Sequence, residues 1–413
     1  MAKNNRMPSE QNTFNNSVVI VTSGKSRVAY NIVRSLGRRG CRVYVADNAA
    51  GAMSFVSRYS CGSFVYPSPF TDPEGFVECL SRKIEELHAE VLIPVLEETF
   101  LVAKYKEDLA RRVKLVVPEY RQILAAHNKD RWEAMAEKLG IPHPRTAEAA
   151  ALKADCRMCK ELRYPVLIKP KQGGGGWAIL EVASAEQLVA LLASDSYCER
   201  PWDRFFVQEK ISGETHCVAM LFCRGELRGK IVYRQLREYP IRFGQAVLRQ
   251  SLRNEEAEAN FKKLLEEMAW HGVCQADFVV DQASGISYLV DINPRFWGSL
   301  AQAIASGVDF PWLLYRIAID GDVEPVKDFA AGVKSRWLGG DLRAFLPQLM
   351  TCPGKVQFLK DFFAVSNWNL YRDDFDFSDP MPFFSWAAYT MRRAVQKRCC
   401  KEPVGDALQG IWE

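Results

Sequence analysis

The sequence lacks the features that mark membrane-spanning and secreted proteins. No uninterrupted apolar run approaches the roughly 18 residues that a membrane span needs. The first 16 residues, MAKNNRMPSEQNTFNN, contain no hydrophobic signal core and predict a disordered tail. The net charge of +4 over 413 residues is small, which argues against nucleic-acid or membrane-surface partners. A globular protein with two or three domains is expected from this length.

Paired metal-binding cysteines are also absent. The 12 cysteines are scattered along the chain, and only Cys156 and Cys159 have C-x-x-C spacing. No second pair completes a tetrahedral zinc site. We therefore expect reduced thiols in a cytoplasmic protein.

The N-terminal region has a nucleotide-binding pattern without the fingerprint that normally accompanies it. Residues 17–47 alternate as strand, helix and strand, which predicts a βαβ unit and a parallel sheet. The turn contains only Gly24, so the G-x-G-x-x-G pattern is missing. A P-loop ending in "SGKS" would require its first glycine at Val19, inside the strand. The expected fold here is an α/β domain of Rossmann-like topology without the dinucleotide fingerprint.

This alternation continues with a predicted helix at 74–88 and predicted strands at 91–95 and 114–118. Glu97 and Glu98 follow a strand's carboxyl end, where open α/β sheets bind ligands. The alternative is that they are exposed charges at the start of a helix, and this alternative is favoured.

Composition and periodicity divide the chain into four segments. They are the tail at 1–16, an α/β domain at 17–118, a second α+β domain at 119–325 and a C-terminal region at 326–413. The last region is aromatic-rich and is predicted to be helical, but it carries no chemical motif.

The most informative stretch is "PVLIKPKQGGGGWAIL" at 165–180. A flexible linker is one explanation for Gly173, Gly174, Gly175 and Gly176. Apolar strand-like runs on both sides favour a tight loop between two strands of one sheet. Bare backbone N–H groups beside Lys169 suit a phosphate.

Two further stretches carry polar residues on predicted strands. In "FFVQEKISGETHCVAML" (205–221), a break between strands offers Glu209 and exposed backbone to an adenine edge. In "CQADFVVDQASGISYLVDINPRFWGSL" (274–300), strand alternation places Asp291 and Asn293 on one face, and a hairpin brings Asp277 to them. Hard oxygen donors of this kind suit Mg²⁺ held jointly with phosphates. Ordinary strand-end charges are the alternative, and the metal site is favoured because unpaired charge inside an apolar run is costly.

Arginines supply candidate anion partners. Arg295 follows Asn293 at the same strand parity and offers a planar cation to a phosphate or carboxylate. A substrate carboxylate could also be bound by one of four arginines, Arg234, Arg237, Arg242 and Arg249. Arg249 is the candidate because "AVLRQSL" is the most strand-like setting, and solvated surface charge is the alternative for all four.

These motifs, in this order, resemble the ATP-grasp superfamily, which includes D-alanine–D-alanine ligase, biotin carboxylase and the carbamoyl-phosphate synthase large chain. The resemblance rests on Lys129 before a helix, Lys169 with the glycine loop, the Q-E-K-I-S-G segment and D…D-I-N-P-R. It spans roughly residues 17–325, and the "NPRFWGS" ending is similar to the carboxylate–amine ligase branch. Asp291 stands where many members have Glu.

The resemblance implies a role for each matched position. Lys129 and Lys169 would hold ATP phosphates under a lid formed by the glycines. Glu209, with the backbone of Lys210 and Ile211, would hold the adenine. Glu214 or His216 would contact the ribose, because Thr215 occupies the family's commonest ribose position. Asp277, Asp291 and Asn293 would bind Mg²⁺, with Mn²⁺ as an alternative, and Arg295 would steady an acyl phosphate.

The reaction implied by the resemblance is ATP-dependent and forms ADP. A small-molecule carboxylate is activated as an acyl phosphate and joined to an amine, such as an amino acid or a related molecule. Two alternatives stay open: activation of bicarbonate or another oxyacid, and a degenerate ATP-binding module. Relatives are commonly dimers, so a homodimer is one expected state.

Overall fold

The structure is a computed structural model that describes residues 16–171, 179–194, 202–240, 244–351, 354–364 and 370–399, with backbone only at 364 and 393–399. In chain order the strands are β1 (Val18–Val21), β2 (Arg42–Asp47), β3 (Ser60–Val65), β4 (Val91–Ile93), β5 (Thr146–Glu148), β6 (Val166–Pro170), β7 (Leu180–Val182), β8 (Phe205–Glu209), β9 (Gly213–Cys223), β10 (Glu226–Tyr239), β11 (Gln245–Ser251), β12 (Gly272–Asp281), β13 (Ser287–Asn293), β14 (Lys334–Arg336) and β15 (Tyr371–Arg372). The helices are α1 (Arg27–Gly37), α2 (Pro73–Leu87), α3 (Glu98–Lys104), α4 (Lys106–Ala110), α5 (Tyr120–His127), α6 (Lys129–Leu139), α7 (Ala149–Ala154), α8 (Ala185–Ala193), α9 (Glu255–Glu267), α10 (Leu300–Ala305), α11 (Phe310–Asp320), α12 (Leu338–Thr351), α13 (Lys355–Ala364) and α14 (Met381–Cys399).

The first compact unit takes its described residues from 1–116, 311–322 and 376–401. Its sheet has the order β3-β2-β1-β4, and all of the pairings are parallel. Ser26 caps α1 by accepting a hydrogen bond from the Ala29 N–H, which starts the helix directly after the β1 turn. This arrangement confirms the α/β fold predicted for the region. Residues 114–118 are a correction, because they form only an isolated bridge between Lys114 and Val91.

Glu98 is a second correction in this unit. It begins α3, as expected, but it is buried at 5% exposure and is not a surface charge. The Tyr66 hydroxyl donates a hydrogen bond to Glu98 Oε1 (2.9 Å), and the Ser23 N–H donates one to the Tyr66 oxygen (3.1 Å). Burial raises the pKa of Glu98 to about 7.

The second compact unit takes its described residues from 117–310 and 323–375. Its larger sheet has the order β13-β12-β9-β10-β11-β14-β15, and its smaller sheet has the order β5-β8-β6-β7. All pairings are antiparallel except β14 with β15. This confirms the α+β class predicted for the middle of the chain, and β6 and β7 are neighbours on either side of the glycine segment.

One face of the small sheet is apolar, and the other carries polar side chains among apolar ones. Val166, Ile168 and Val207 pack into a core with residues of α7 and α8. Because strand side chains alternate, the intervening residues Lys169 and Gln208 lie on the opposite face. The alternation therefore separates the core of the sheet from its candidate binding face.

The C-terminal region contains α12, α13 and α14, which confirms its predicted helical character. It also adds two short strands, β14 and β15, to the large sheet. Asp374 accepts hydrogen bonds from the backbone N–H groups of Leu338 (3.0 Å) and Gly339 (2.8 Å), and so satisfies the first turn of α12. None of the described helices is both long enough and apolar enough to cross a membrane.

Candidate active site

The register of the large sheet aligns polar side chains from four strands. Asp277 on β12 lies opposite Asp291 on β13 and opposite Cys217 on β9, and Cys217 lies opposite Tyr233 on β10. Directly opposed residues of an antiparallel ladder share a face and place their side chains close together. The structure thus brings Asp277 and Asp291 together from positions 14 residues apart in the chain.

Gln275 joins two of the predicted metal ligands. It is buried, lies opposite Asn293, and donates from Nε2 to Asp277 Oδ1 (2.7 Å). Its Oε1 accepts a hydrogen bond from Asn293 Nδ2 (2.9 Å), and the same nitrogen is 3.3 Å from Asp291 Oδ2. Asn293 Oδ1 is therefore the amide atom left to ligate a cation.

These residues fit a hard cation that is shared with a phosphate. Two carboxylates and an amide oxygen are the ligands that Mg²⁺ takes from proteins when phosphates and water complete its shell. Among the residues that the structure describes, no three His, Cys, Asp or Glu side chains cluster as a metal site. A cation here would depend on the amide oxygen and on a bound phosphate.

The electrostatics of Asp277 follow from its surroundings. Burial, and after it the neighbouring Asp291, raise the pKa of this carboxyl to about 6. Hydrogen bonds from the Cys217 thiol (2.9 Å) and from Gln275 act in the opposite direction. A cation bound here would stabilise the charged forms of both carboxylates.

Lys169 lies on the polar face of the small sheet. Its Nζ donates to Gln208 Oε1 (2.8 Å). Burial and the nearby Lys129 lower the pKa of Lys169 to about 8, whereas Asp291 and Asp277 raise it. The lysine is therefore electrostatically coupled both to the second lysine and to the acidic pair of the large sheet.

Lys129 is the first residue of α6 and reaches β13. Its Nζ donates to the Val290 carbonyl (3.0 Å) and lies 3.2 Å from Glu133 Oε1. The ammonium lies 4.3 Å from the ring centroid of Trp132 and 5.2 Å from that of Phe206. Burial lowers the pKa of Lys129, and Glu133 and Asp291 oppose that shift.

The segment predicted to hold adenine is at the end of β8. The Glu209 carboxylate accepts a hydrogen bond from the Arg163 N–H (2.9 Å). The Lys210 N–H donates to the Pro165 carbonyl (3.0 Å), and its ammonium pairs with Glu181 (2.8 Å). Since the Lys210 N–H is bonded to Pro165, just before β6, the Ile211 backbone is the candidate donor for an adenine edge.

The ribose candidates lie at the start of β9. Glu214 is exposed and pairs with Arg234 (3.3 Å). His216 is mostly buried, and its Nδ1 is 2.9 Å from Asn254 Nδ2. Burial lowers the pKa of His216, and Glu214 opposes that shift.

Arg295 follows β13 at the same parity as the acidic residues. Its N–H donates to the Asn293 carbonyl (2.8 Å), and its Nη1 donates to the Phe296 carbonyl (3.2 Å). The backbone bond fixes the turn that leads out of β13. Arg295 is therefore adjacent to the candidate metal ligands in the fold as well as in sequence.

Arg249 differs from what the sequence suggested. Its guanidinium is fully buried in a two-point ion pair with Asp373, with Nη1–Oδ2 at 2.8 Å and Nη2–Oδ1 at 2.6 Å. A guanidinium held in this way is a structural cation, which argues against Arg249 as the clamp for a substrate carboxylate. Arg237 is likewise bonded to Asp341 (3.0 Å), and Arg242 and Gly173–Gly176 lie outside the described residues.

Sequence reasoning missed three side chains of the site: Gln208, Gln275 and Cys217. All three lie on strands. Gln208 and Gln275 are within two residues of a predicted functional residue, and Cys217 is in register with one. Gln208 precedes Glu209, and Gln275 is two residues before Asp277 on the same face. Strand parity was the signal that would have found Gln275.

One segment of the chain, which includes the candidate site, matches a known protein family. Residues 126–299 match the family model described as the ATP-grasp domain. The chain therefore contains an ATP-grasp domain, and the fold predicted by that resemblance is confirmed.

Solved structures of ATP-grasp enzymes are similar to this chain. The biotin carboxylase of Campylobacter jejuni has a TM-score of 0.62 at 16% identity, covering 76% of this chain and 74% of that one. The biotin carboxylase domain of Hydrogenobacter thermophilus 2-oxoglutarate carboxylase, a dimer in complex with MgADP and bicarbonate, has a TM-score of 0.60 at 16% identity, with coverage of 76% and 73%. The L-amino acid ligase of Bacillus licheniformis has a TM-score of 0.57 at 17% identity, with coverage of 76% and 79%. At these identities the likeness establishes the fold alone.

Proposed function

We propose that this protein is an ATP-dependent, ADP-forming ligase that joins a small-molecule carboxylate to an amine. The observation that supports it most is the electrostatic coupling of Lys169 to Lys129 and to the Asp277–Asp291 pair. Two ammonium groups beside two carboxylates form a site for a triphosphate and its cation. The similar solved structures include an L-amino acid ligase, which agrees with this function.

Each proposed role follows from the position of the residue. Lys129 and Lys169 contact the phosphates, and Glu209 and Ile211 flank the adenine. Asp277, Asp291 and Asn293 would hold Mg²⁺, which supplies charge neutralisation at the phosphates. The proposed functional domain is residues 119–325, which includes the matched segment 126–299.

The proposed chemistry has two balanced steps. A carboxylate oxygen attacks the γ-phosphorus of ATP, the bond to the β,γ-bridging oxygen breaks, and ADP leaves with an acyl phosphate formed. An amine then attacks the acyl carbon, phosphate leaves, and the amine loses a proton as the amide forms. Because phosphoryl transfer requires alignment and charge neutralisation more than a protein nucleophile, lysines and Arg295 suffice as the catalytic groups.

Bicarbonate activation is the second candidate, and similarity to biotin carboxylases favours it. A degenerate ATP-binding module is a third, and the intact set of lysines and oxygen ligands argues against it. ADP release with Mg²⁺ is to be measured across pooled amino acids, small carboxylates and bicarbonate. ADP that depends on an acid–amine pair supports the ligase, and ADP that depends on bicarbonate alone supports the second candidate. Tight ATP binding without turnover supports the module, and AMP with pyrophosphate would rule out the acyl-phosphate route.

The assembly and location of the protein also remain proposals. We propose a cytoplasmic protein, as the cysteine pattern suggests, and a homodimer, as the family resemblance implies. Imaging of a tagged chain would test the first part, and light scattering coupled to size-exclusion chromatography would test the second.

A further inference from the structure

A chain of hydrogen bonds joins the two lysines of the candidate site. Lys169 Nζ donates to Gln208 Oε1 (2.8 Å), and Gln208 Nε2 donates to Thr146 Oγ1 (3.1 Å). The Thr146 hydroxyl donates to Glu133 Oε1 (2.7 Å), and the same Oε1 lies 3.2 Å from Lys129 Nζ. The chain runs from β6 through β8 and β5 to α6.

Chemistry fixes the direction of every bond in this chain. An ammonium can only donate and an ionised carboxylate can only accept, so Gln208 must turn its oxygen to Lys169 and its nitrogen to Thr146. Thr146 has a single hydroxyl proton, and its bond to Glu133 is shorter than its 3.3 Å approach to the Pro144 carbonyl. Strand register makes this arrangement possible, because Gln208 lies opposite both Thr146 and Leu167, two residues before Lys169.

The two lysines receive different partners. Lys129 has a carboxylate, Glu133, and a backbone carbonyl. The acceptor found for Lys169 is the neutral amide of Gln208, which is 1% exposed. A neutral acceptor orients an ammonium but does not cancel its charge.

We propose that Gln208 is a positioning residue for nucleotide binding, which holds Lys169 in place with a neutral acceptor so that phosphate oxygens supply its counter-charge. This inference rests on the proposed function and adds to it a division of labour between the lysines. Lys129 is neutralised within the protein, and Lys169 is reserved for the ligand.

The charged groups around Lys169 agree with this role. Lys129 and Glu133 face it from α6, Asp277 from β12 and Asp291 from β13. With burial, they leave Lys169 with a pKa lowered to about 8. A carboxylate at position 208 would raise that pKa and compete with phosphate for the ammonium.

The test compares Gln208→Glu and Gln208→Met with the wild type in calorimetric binding of the non-hydrolysable analogue AMP-PNP with Mg²⁺ across pH. For Gln208→Glu we expect the affinity near neutral pH to fall about tenfold. The pH above which affinity declines should be about one unit higher than in the wild type. For Gln208→Met we expect weaker binding without the upward shift, because the acceptor is lost and no charge is added. Gln187→Glu is the matched control, since Gln187 is an exposed glutamine on α8 of the same unit.

Circular dichroism establishes that each variant is folded before it is titrated. If Gln208→Glu binds AMP-PNP with the wild-type affinity and pH profile, the positioning role is wrong while the proposed ATP site stands. An equal loss in Gln208→Glu and Gln208→Met without a pH shift would also overturn it, because packing alone would explain that result. Failure of the wild type to bind AMP-PNP would overturn the proposed function and this inference together.

Discussion

Asp277 and Asp291 face each other across the β12–β13 ladder, and the charge of Asp291 helps to raise the pKa of Asp277. Such a pair is relieved by a cation, so the two carboxylates are expected to act as one metal site. The backbone pairing that holds them together exists without the cation. Removing one carboxylate should therefore alter metal affinity more than fold stability.

Asp291→Asn should raise the Mg²⁺ concentration needed for half-maximal ADP formation by about tenfold or more, since one of two anionic ligands is lost. The measurement is a Mg²⁺ titration at saturating ATP. Asp281→Asn, at the turn end of the same hairpin, is the control and should leave the titration unchanged. An unchanged requirement in Asp291→Asn would remove this residue from the metal site.

Lys169→Ala should reduce turnover by about a hundredfold to a thousandfold, because one preorganised charge at the transferring phosphate is lost. The fold should survive, since the lysine is an uncancelled charge on the polar face of the small sheet. Lys171→Ala is the control, because Lys171 lies two residues further along and pairs with Glu148 at the surface. ADP formation and thermal unfolding are measured together. An aggregated Lys169→Ala protein would indicate a structural lysine.

Nucleotide affinity should decline as the pH rises above about 8. Lys169 is protonated below its pKa of about 8 and loses its charge above it. Phosphate binding favours the charged form, so binding at higher pH requires proton uptake and weakens by up to tenfold per pH unit. Well below pH 8 the lysine is fully protonated and contributes no pH dependence.

Lys169→Arg separates this effect from other titrations, because arginine stays charged throughout the range. The affinity for AMP-PNP is measured from about pH 7 to 9.5 in both proteins. The alkaline decline should be shallower in the arginine variant, whatever its absolute affinity. Equal slopes would mean that another group controls the pH dependence.

Local pattern was sufficient to predict that the acidic residues of the candidate site come together. Asp277, Asp291 and Asn293 belong to one hairpin, and period-two alternation with a short turn fixes which of their side chains share a face. The strand–helix–strand alternation of residues 17–47 likewise predicted the βαβ start of the first unit. Information within about 30 residues was enough in both cases.

Contacts between distant segments could not be predicted in this way. Arg249 is 124 residues from Asp373, and nothing near "AVLRQSL" reveals that an aspartate will cover it. The chain from Lys169 to Glu133 needs the register of three strands and the position of a helix. Glu98 was misjudged because sequence shows where a helix begins but not what packs over its first residue.

The buried pair of Arg249 and Asp373 gives a test of stability. Asp373→Ala should lower the free energy of unfolding by about 3–5 kcal/mol, because an unpaired guanidinium is left inside the protein. Replacing both residues by leucine should cost much less, since no buried charge remains. Asp328→Ala, at an exposed pair with Arg253, should change it by about 1 kcal/mol or less. Denaturant unfolding measures all three, and a mild effect of Asp373→Ala would show that the pair is not closed to water in solution.

The raised pKa of Glu98 predicts how the free energy of unfolding changes with pH. Its pKa in the folded protein is raised from 4.5 to about 7, so the folded state holds the proton more tightly than the unfolded chain. The resulting stabilisation is fully present below pH 4.5 and is lost as the pH rises through 7. A shift of this size corresponds to about 3 kcal/mol at most.

Glu98→Gln removes the titrating group while keeping an acceptor for the Tyr66 hydroxyl. The unfolding free energy of the variant should therefore improve relative to the wild type as the pH is raised from about 4.5 to 7.5. Glu78→Gln, at an exposed position on α2, should show no such trend. Denaturant unfolding at several pH values provides the comparison. If the difference between Glu98→Gln and the wild type stays constant with pH, Glu98 is charged in the folded protein, and its surroundings must then contain a cation or water that offsets its burial.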